Sequence, residues 1–167
     1  AEFADRFPGR LSGVEYMQLQ DARALVHKGR MKMPEAYRRH LDSQYDAGIA
    51  YLDFVTARLF DTLKQQGLYD NTMIIVTSDH GEALGEHNFY GHPVSMDQNQ
   101  IHVPLLVKYP HQEIGDVSDA LVSSVDILPT ILDVIGQPAP PNIEGRSLRR
   151  PESLSRRWIT SESYGTR

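Results

Sequence analysis

The sequence contains no cysteine. This absence excludes a disulfide framework, a thiolate metal site and a cysteine nucleophile within these 167 residues. Long apolar runs are also missing, because no stretch approaches the ~18 residues needed to cross a bilayer. The first residues, AEFADRFPGR, lack the apolar centre of a signal peptide. We therefore expect no membrane segment, and a chain that is either cytosolic or has lost its targeting segment.

Positively charged residues are fewer than negatively charged ones. There are 17 Lys plus Arg against 22 Asp plus Glu, which gives a formal net charge of −5. Such a balance argues against a nucleic-acid binder, which normally carries a strongly basic surface. Hydrophobic residues make up 40% and charged residues 23%, values that exclude wholesale disorder and collagen-like repeats. The length predicts one domain or a piece of a larger one.

The clearest local signal is a long amphipathic helix. It is predicted over Glu35 to Gln66, since Pro34 suits a helix start and Gly67 suits a helix end. Apolar residues recur along it at steps of three and four, which places them on one face. These are Ile49, Leu52, Val55, Leu59 and Leu63. We expect this stripe to pack into a core.

Two strands and a second helix follow. Met73 to Thr77 is a run of apolar and β-branched residues without alternation, which is typical of a strand buried on both faces of a parallel sheet. Ile101 to Tyr109 is a second strand candidate, Asp126 to Ile135 predicts a short helix, and Trp158 to Ser161 predicts the start of a further strand. Helices alternating with strands indicate an α/β fold.

Ionisable residues are concentrated directly after the first predicted strand. Open α/β sheets usually place their chemistry beyond the carboxyl ends of the strands, and here that position holds Ser78, Asp79, His80, Gly81 and Glu82. A carboxylate beside an imidazole suits a divalent cation. An alternative interpretation is that Asp79 merely caps the following turn. The spacing alone leaves both open.

The histidines and glutamates that follow give weaker signals. His92, in the sequence YGH, taken alone is typical of a solvated loop residue. Glu82, Glu86 and His87 are interpreted as loop polarity or helix-end capping rather than as ligands. The basic stretch formed by Arg146, Arg149, Arg150, Arg156 and Arg157 favours a solvated linker over a patch for an anionic substrate.

Three segments together resemble the sulfatase family of the alkaline-phosphatase superfamily. They are NTMIIVTSDHGEALGEHNFYGH, QIHVPLLVKYP and SSVDILPTILDVIGQPAPPNIEGRSL, and they occur in the family's order. The helix YDAGIAYLDFVTARLFDTL is similar to the one that precedes the family's metal strand. The resemblance implies an α/β sandwich around a mainly parallel sheet flanked by helices. The chain would be the carboxy-terminal portion of that catalytic domain, hence a partial domain.

The resemblance also assigns roles to individual residues. Asp79 and His80 match the family's carboxy-terminal pair of metal ligands, so one divalent cation is expected. Calcium is usual in sulfatases, whereas manganese or zinc occurs in related phosphonate and phosphate-ester hydrolases and phosphoethanolamine transferases. His92 matches a position where family members place a His or Lys that contacts the substrate anion or assists the leaving group, and it is the candidate catalytic residue.

One part of the family's pattern is missing. Sulfatases carry a formylglycine nucleophile in a C/S-x-P-x-R motif, and the only P-x-R spacing in this sequence begins at Arg6. The nucleophile is therefore expected in an upstream part, together with the amino-terminal half of the domain as a partner. We expect a sulfate- or phosphate-ester substrate, little or no activity of this chain alone, and self-association through exposed apolar faces.

The resemblance leaves several alternatives open. The parent protein would be a metal-dependent sulfuric ester hydrolase, or else a phosphoethanolamine or phosphoglycerol transferase or a phosphoester or phosphonate hydrolase. A non-catalytic binding or structural module is the alternative from another class. The predicted organisation is a poorly defined lead-in over 1–34, the catalytic-domain portion over 35–150, and a linker with the first strand of a terminal subdomain over 151–167. A periplasmic or secreted location is plausible for such a parent.

Overall fold

The computed structural model describes residues 2–11, 13, 16–92, 95–149 and 155–162. The described chain forms four α-helices and four short strands. In chain order they are α1 (Tyr16–His27), α2 (Glu35–Gln65), β1 (Ile74–Thr77), β2 (Ala83–Leu84), β3 (Tyr90–Gly91), α3 (Gln98–Ile101), β4 (Leu105–Lys108) and α4 (Ile127–Val134). Single 3₁₀ turns lie at Glu86–Asn88 and Ser124–Asp126. Within the described residues no helix combines the length and apolar character needed to span a bilayer.

The long helix α2 forms where the sequence predicts it. Pro34 precedes its first turn, and Gly67 follows its last turn in the left-handed conformation, with φ 68°. Residues 2–11 fold back along its first half: the Ser43 hydroxyl donates to the Phe7 carbonyl at 3.0 Å. The Phe3 ring lies against α2 as well, 5.4 Å from the Phe54 ring. The lead-in is thus attached to the helix.

The apolar stripe of α2 is exposed in this chain, contrary to the expectation that it packs into a core. Ile49 is 55% exposed, Leu52 62% and Leu59 57%. Side chains of this type at these exposures leave an extended apolar surface along the helix. The pattern predicted the helix and its apolar face correctly, but within these residues no element covers that face.

The two predicted strands pair with each other. β1 and β4 form an antiparallel ladder in which Ile74 lies opposite Lys108 and Thr77 lies opposite Leu105. The prediction of parallel neighbours around β1 is therefore wrong for this pairing, and so is the prediction of burial on both faces, since Val76 is 38% exposed. A second, two-residue ladder joins β2 to β3. Its hairpin follows directly on the polar segment after β1.

Lys108 closes the end of the β1–β4 pair. Its ammonium, which has three N–H donors, lies within hydrogen-bonding distance of four carbonyl oxygens: that of Tyr69 at 2.9 Å and those of Asp70, Thr72 and Tyr109 at 3.2 Å each. The same ammonium lies 4.8 Å from the centroid of the Tyr69 ring. These contacts tie the segment before β1 to the end of β4.

We expect Lys108→Met to lower the free energy of unfolding by about 1–2 kcal/mol, because several carbonyls lose a charged donor while the apolar stem is kept. Urea denaturation followed by circular dichroism measures the change. Lys32→Met is the matched control, since the Lys32 side chain is exposed. Equal effects of the two substitutions would contradict a structural role for the Lys108 ammonium.

The carboxyl-terminal part of the described chain is organised around Asp126. This residue is buried, and its carboxylate accepts hydrogen bonds from the backbone N–H groups of Ser123 and Arg146, each at 2.8 Å. The guanidinium of Arg156 binds both carboxylate oxygens, with Nη2 2.7 Å from Oδ1. Thr130 adds a link, as its hydroxyl donates to the Asp126 carbonyl at 2.6 Å and accepts from the Leu148 N–H at 2.9 Å.

This arrangement corrects two expectations. Arg156 is not part of a solvated linker, because its side chain is only 13% exposed and forms an ion pair with a buried carboxylate. The strand predicted at Trp158 to Ser161 does not form in the described residues 155–162, where Trp158 is 72% exposed and has irregular backbone. The helix predicted over Asp126 to Ile135 is confirmed as α4, with Gly136 after it at φ 69°.

Candidate functional site

The polar segment leaves the sheet at the end of β1. Its turn is fixed by two hydrogen bonds: the Ser78 hydroxyl donates to the His80 carbonyl at 2.7 Å, and the Gly81 N–H donates to the Gln100 carbonyl at 2.8 Å. The second bond anchors the segment to α3, which precedes β4. The loop that carries Asp79 and His80 is therefore held on one side by β1, which it follows, and on the other by its hydrogen bond to α3.

Gly81 is required by this close approach. A Cβ atom at this position would lie 1.9 Å from the Asn99 carbonyl oxygen and 3.3 Å from Gln100 Cα. No side chain fits in that space without moving backbone. The glycine after His80 is thus explained by packing of one backbone against another.

Asp79 and His80 lie side by side, largely in solvent. The Asp79 side chain is 89% exposed and that of His80 47% exposed. Asp79 Oδ1 accepts the His80 backbone N–H at 3.0 Å and lies 3.9 Å from His80 Nε2. His80 Nδ1 is 2.8 Å from the Gly81 carbonyl oxygen, and because a carbonyl only accepts, Nδ1 carries the hydrogen. In the neutral ring, the Nε2 lone pair is then available.

The local field favours an ionised Asp79. Its own backbone N–H, followed by the neighbouring His80 ring, holds the pKa of the Asp79 carboxyl below its usual value. The first cause is a hydrogen bond to the charged form and the second is the electrostatic effect of the His80 side chain. A carboxylate that stays ionised is the form that binds a cation.

His80 also belongs to a compact group with Glu82 and His92. One ligand atom from each of these side chains lies within 4.8 Å of the others. The two imidazole rings stack with centroids 4.7 Å apart at 30°. His92 Nδ1 is 3.2 Å from Glu82 Oε2, and the Glu82 side chain is only 23% exposed. We call Asp79, His80, Glu82 and His92 the strand-end cluster.

The composition of the strand-end cluster fits a divalent cation. It offers carboxylate oxygens and imidazole nitrogens, the donor types that hold such ions in proteins. The site is open on one side, since His92 is 66% exposed. A substrate anion can therefore approach the two imidazole rings from solvent, next to a cation held by the cluster.

Sequence reasoning treated Glu82 as loop polarity, whereas the structure brings it into the cluster. A usable signal existed, because Glu82 is two residues after His80 and alternate residues of extended backbone share a face. Glu86 does stabilise the loop as interpreted: its carboxylate accepts the Leu84 N–H at 2.8 Å and the Asn99 amide at 3.3 Å. Backbone N–H groups of Glu86 and Leu84 lower the pKa of that carboxyl. His87 points to Asp97, with 3.9 Å between Nε2 and Oδ1.

The chain is similar to known sulfatases in sequence. The family model described as Sulfatase matches residues 2–137. Arylsulfatase K of Bos taurus is 34% identical over 145 residues, which cover 80% of this chain and 27% of the bovine protein. The chain thus spans about a quarter of the length of this relative.

Two solved structures have a similar fold. The phosphonate monoester hydrolase SpPMH from Silicibacter pomeroyi superposes with a TM-score of 0.68 at 28% identity, covering 86% of this chain and 31% of that one. A protein solved in complex with its substrate D-glucosamine-2-N,6-O-disulfate gives a TM-score of 0.64 at 33% identity, covering 79% of this chain and 27% of that one. These similarities confirm the expected α/β fold class as a partial domain. The chain belongs to the sulfatase family.

Proposed function

We propose that the protein to which this chain belongs is a metal-dependent sulfuric ester hydrolase, and that the chain supplies part of its metal and substrate site. The observation that carries the proposal is the strand-end cluster, in which Asp79 Oδ1 lies 3.9 Å from His80 Nε2 and the His92 ring stacks on the His80 ring with centroids 4.7 Å apart. Membership of the sulfatase family supplies the reaction class. A sulfated sugar is the substrate of one structural relative and is the first substrate class to examine.

Asp79 and His80 are the proposed ligands of one divalent cation. The 3.9 Å between Asp79 Oδ1 and His80 Nε2 is shorter than two metal–ligand bonds of ~2.0–2.4 Å placed end to end, so both atoms can reach one ion. Calcium is the ion that the sulfatase family implies, and the imidazole also suits manganese or zinc. Such an ion polarises the oxygens of a bound sulfuryl or phosphoryl group.

His92 is the proposed catalytic residue of this chain. Its Nδ1 faces the Glu82 carboxylate at 3.2 Å, which orients the ring and leaves Nε2 outside this contact. A protonated ring in this orientation donates from Nε2 to an ester oxygen, which assists departure of the leaving group. The nucleophile is proposed to come from another part of the protein, because the C/S-x-P-x-R motif is absent here. This chain alone should therefore turn over little or no ester.

Phosphonate monoester hydrolysis is the second candidate activity. Its support is the similarity to SpPMH, with a TM-score of 0.68 over 86% of this chain. The same cluster serves either reaction, since both substrates present a tetrahedral anion to a cation and a histidine. In the complete protein, the ratio of kcat/KM for an aryl sulfate to that for a phenyl phosphonate distinguishes the two. A transferase would retain an unmodified threonine as nucleophile, which sequencing of the parent gene would reveal.

The metal assignment is testable on this chain as it stands. We expect one Ca²⁺ or Mn²⁺ to bind in isothermal titration calorimetry, and Asp79→Asn or His80→Ala to weaken that binding about tenfold or more, because each removes a ligand. Glu82→Gln and His92→Ala should leave the metal affinity unchanged if these two side chains serve the substrate rather than the ion.

His102→Ala is the matched control, since His102 is an exposed histidine outside the cluster. Unchanged metal affinity in Asp79→Asn and His80→Ala would contradict the assignment. That result would favour the non-catalytic module, in which Asp79 only caps a turn. Weaker binding in His92→Ala would instead move His92 from the substrate role to the ligand set.

A further inference from the structure

Arg23 on α1 has a guanidinium that forms no ion pair with any residue that the structure describes. Its Nε atom is buried and has no hydrogen-bond partner in the described part of the chain. A buried donor left unsatisfied is destabilising, so this geometry suits an acceptor that the described residues do not provide.

The guanidinium lies beside the strand-end cluster. A Cβ atom built on Gly91 would be 3.9 Å from Arg23 Nη1 and 3.8 Å from Glu82 Oε1. Arg23 and Glu82 therefore both approach Gly91, which has φ 107° and immediately precedes His92. Because Gly91 is buried, its missing side chain allows both groups this close approach next to the candidate catalytic histidine.

The position of Arg23 is fixed by the end of α1. Four residues further along the helix, on the same face, His27 Nε2 accepts the backbone N–H of Tyr90 at 3.3 Å. The His27 ring also packs on Phe89, with centroids 4.9 Å apart. These contacts attach α1 to β3 and to the residue before it. Arg23 is thus held against the segment that carries His92 rather than swinging freely in solvent.

The Glu82 carboxylate does not form an ion pair with the Arg23 guanidinium, although both side chains approach Gly91. Glu82 Oε2 instead faces His92 Nδ1 at 3.2 Å. We propose that Arg23 binds an oxygen of the tetrahedral anion, sulfate or phosphate, that the strand-end cluster receives. Guanidinium groups suit this role because their planar fork of N–H donors matches oxyanion geometry. The inference rests on the proposed function and adds to it a positioning residue on α1.

The test uses ¹⁵N-labelled, chelator-treated protein titrated with sodium sulfate, with sodium chloride at matched ionic strength as the reference. We expect the Arg23 Nε–H cross-peak, identified by its loss in Arg23→Lys, to shift with sulfate and to saturate, together with the amides of Gly91 and His92. Arg23→Gln should weaken sulfate binding about tenfold, as expected for loss of a charged hydrogen bond. Arg30→Gln, which removes an exposed guanidinium just after α1, should leave it unchanged.

Each outcome is decisive. Sulfate shifts that are the same at Arg23 and Arg30, an unchanged affinity in Arg23→Gln, or no saturable shift in the wild-type chain would each overturn the inference. Arg23→Lys guards against misfolding, because it keeps the charge and should bind sulfate with intermediate affinity. Metal titration of Asp79→Asn is independent of these results. If sulfate does not bind through Arg23 but the metal binds as proposed, the role of Arg23 is wrong and the metal assignment is unaffected.

Discussion

Replacing Asp126 with asparagine is expected to lower the free energy of unfolding by about 3 kcal/mol, because it breaks a buried ion pair by removing one partner. The Asp126 side chain is 1% exposed and that of Arg156 is 13% exposed. Asparagine can keep one of the backbone hydrogen bonds from Ser123 and Arg146, but it leaves the guanidinium without a counter-charge. Urea denaturation at neutral pH measures the loss.

Two further variants isolate the ion pair. Asp119→Asn removes an exposed carboxylate and should change stability little. The double variant Asp126→Asn with Arg156→Gln should be more stable than the sum of the single losses predicts, by about 1 kcal/mol or more, since the stranded charge is gone. Strictly additive losses would show that the two side chains do not interact energetically.

The same pair predicts a pH dependence. Burial raises the pKa of Asp126, but the Arg156 guanidinium and the N–H groups of Arg146 and Ser123 lower it more, so the pKa of the folded state lies below the usual value. A lowered pKa means that the stabilisation is complete above about pH 4 and is lost as the pH falls through the folded-state pKa. The stability gap between wild type and Asp126→Asn should therefore narrow in acid. A gap that is constant from neutral pH into acid would contradict this assignment.

Gly81→Ala should be comparably damaging. The added Cβ would meet the Asn99 carbonyl oxygen at 1.9 Å, and because that neighbour is backbone, the loop or α3 must move. Overpacking of this kind costs about 3 kcal/mol at the upper end of its usual range. The hydrogen bond from the Gly81 N–H to the Gln100 carbonyl is lost as the two segments separate. Thermal unfolding measures the destabilisation, and calorimetry should show weaker metal binding through the displaced His80.

Gly48→Ala is the matched control for this substitution. Gly48 lies within α2, and apart from its chain neighbours and the backbone of its own helix no atom of the described residues is within 4 Å of the Cβ position there. Alanine should stabilise the helix by about 0.5–1 kcal/mol, because it restricts the unfolded chain and favours helix. Opposite signs for the two glycines are the expected result. A Gly81→Ala variant as stable as wild type would mean that the close approach to Asn99 is easily relieved.

The sequence predicted secondary structure better than burial. The helix α2 and the strand β1 formed close to their expected bounds, because periodicity, Pro34 and Gly67 act locally. The second strand, predicted from Ile101, begins only at Leu105 as β4, and Ile101 instead ends α3. Burial depends on what covers each face, which no local pattern reveals. The stripe at Ile49, Leu52 and Leu59 is apolar yet exposed. We still predict that this surface pairs with an amino-terminal half or self-associates. The domain boundaries and the location of the parent protein also stay predictions.

The candidate site was predicted in part. Asp79, His80 and His92 were identified from their place after a strand and from a family resemblance, and the structure brings His80 and His92 into ring contact. Glu82 was underrated because its proximity to His92 depends on the hairpin formed by β2 and β3. Arg23 gave no signal at all, since it lies far along the chain and reaches the site only through the packing of α1.

The hydrogen bond between the Gly81 N–H and the Gln100 carbonyl has a consequence for variation in chain length. It joins the two ends of the loop formed by residues 82–99, so the ends are held together whatever the length of the loop between them. Ring-closure entropy grows only logarithmically, with each doubling of length costing about 0.6 kcal/mol. Insertions in the middle of this loop can thus change the surroundings of the cluster, while the hydrogen bond between Gly81 and Gln100 keeps Asp79 and His80 in place at the end of β1.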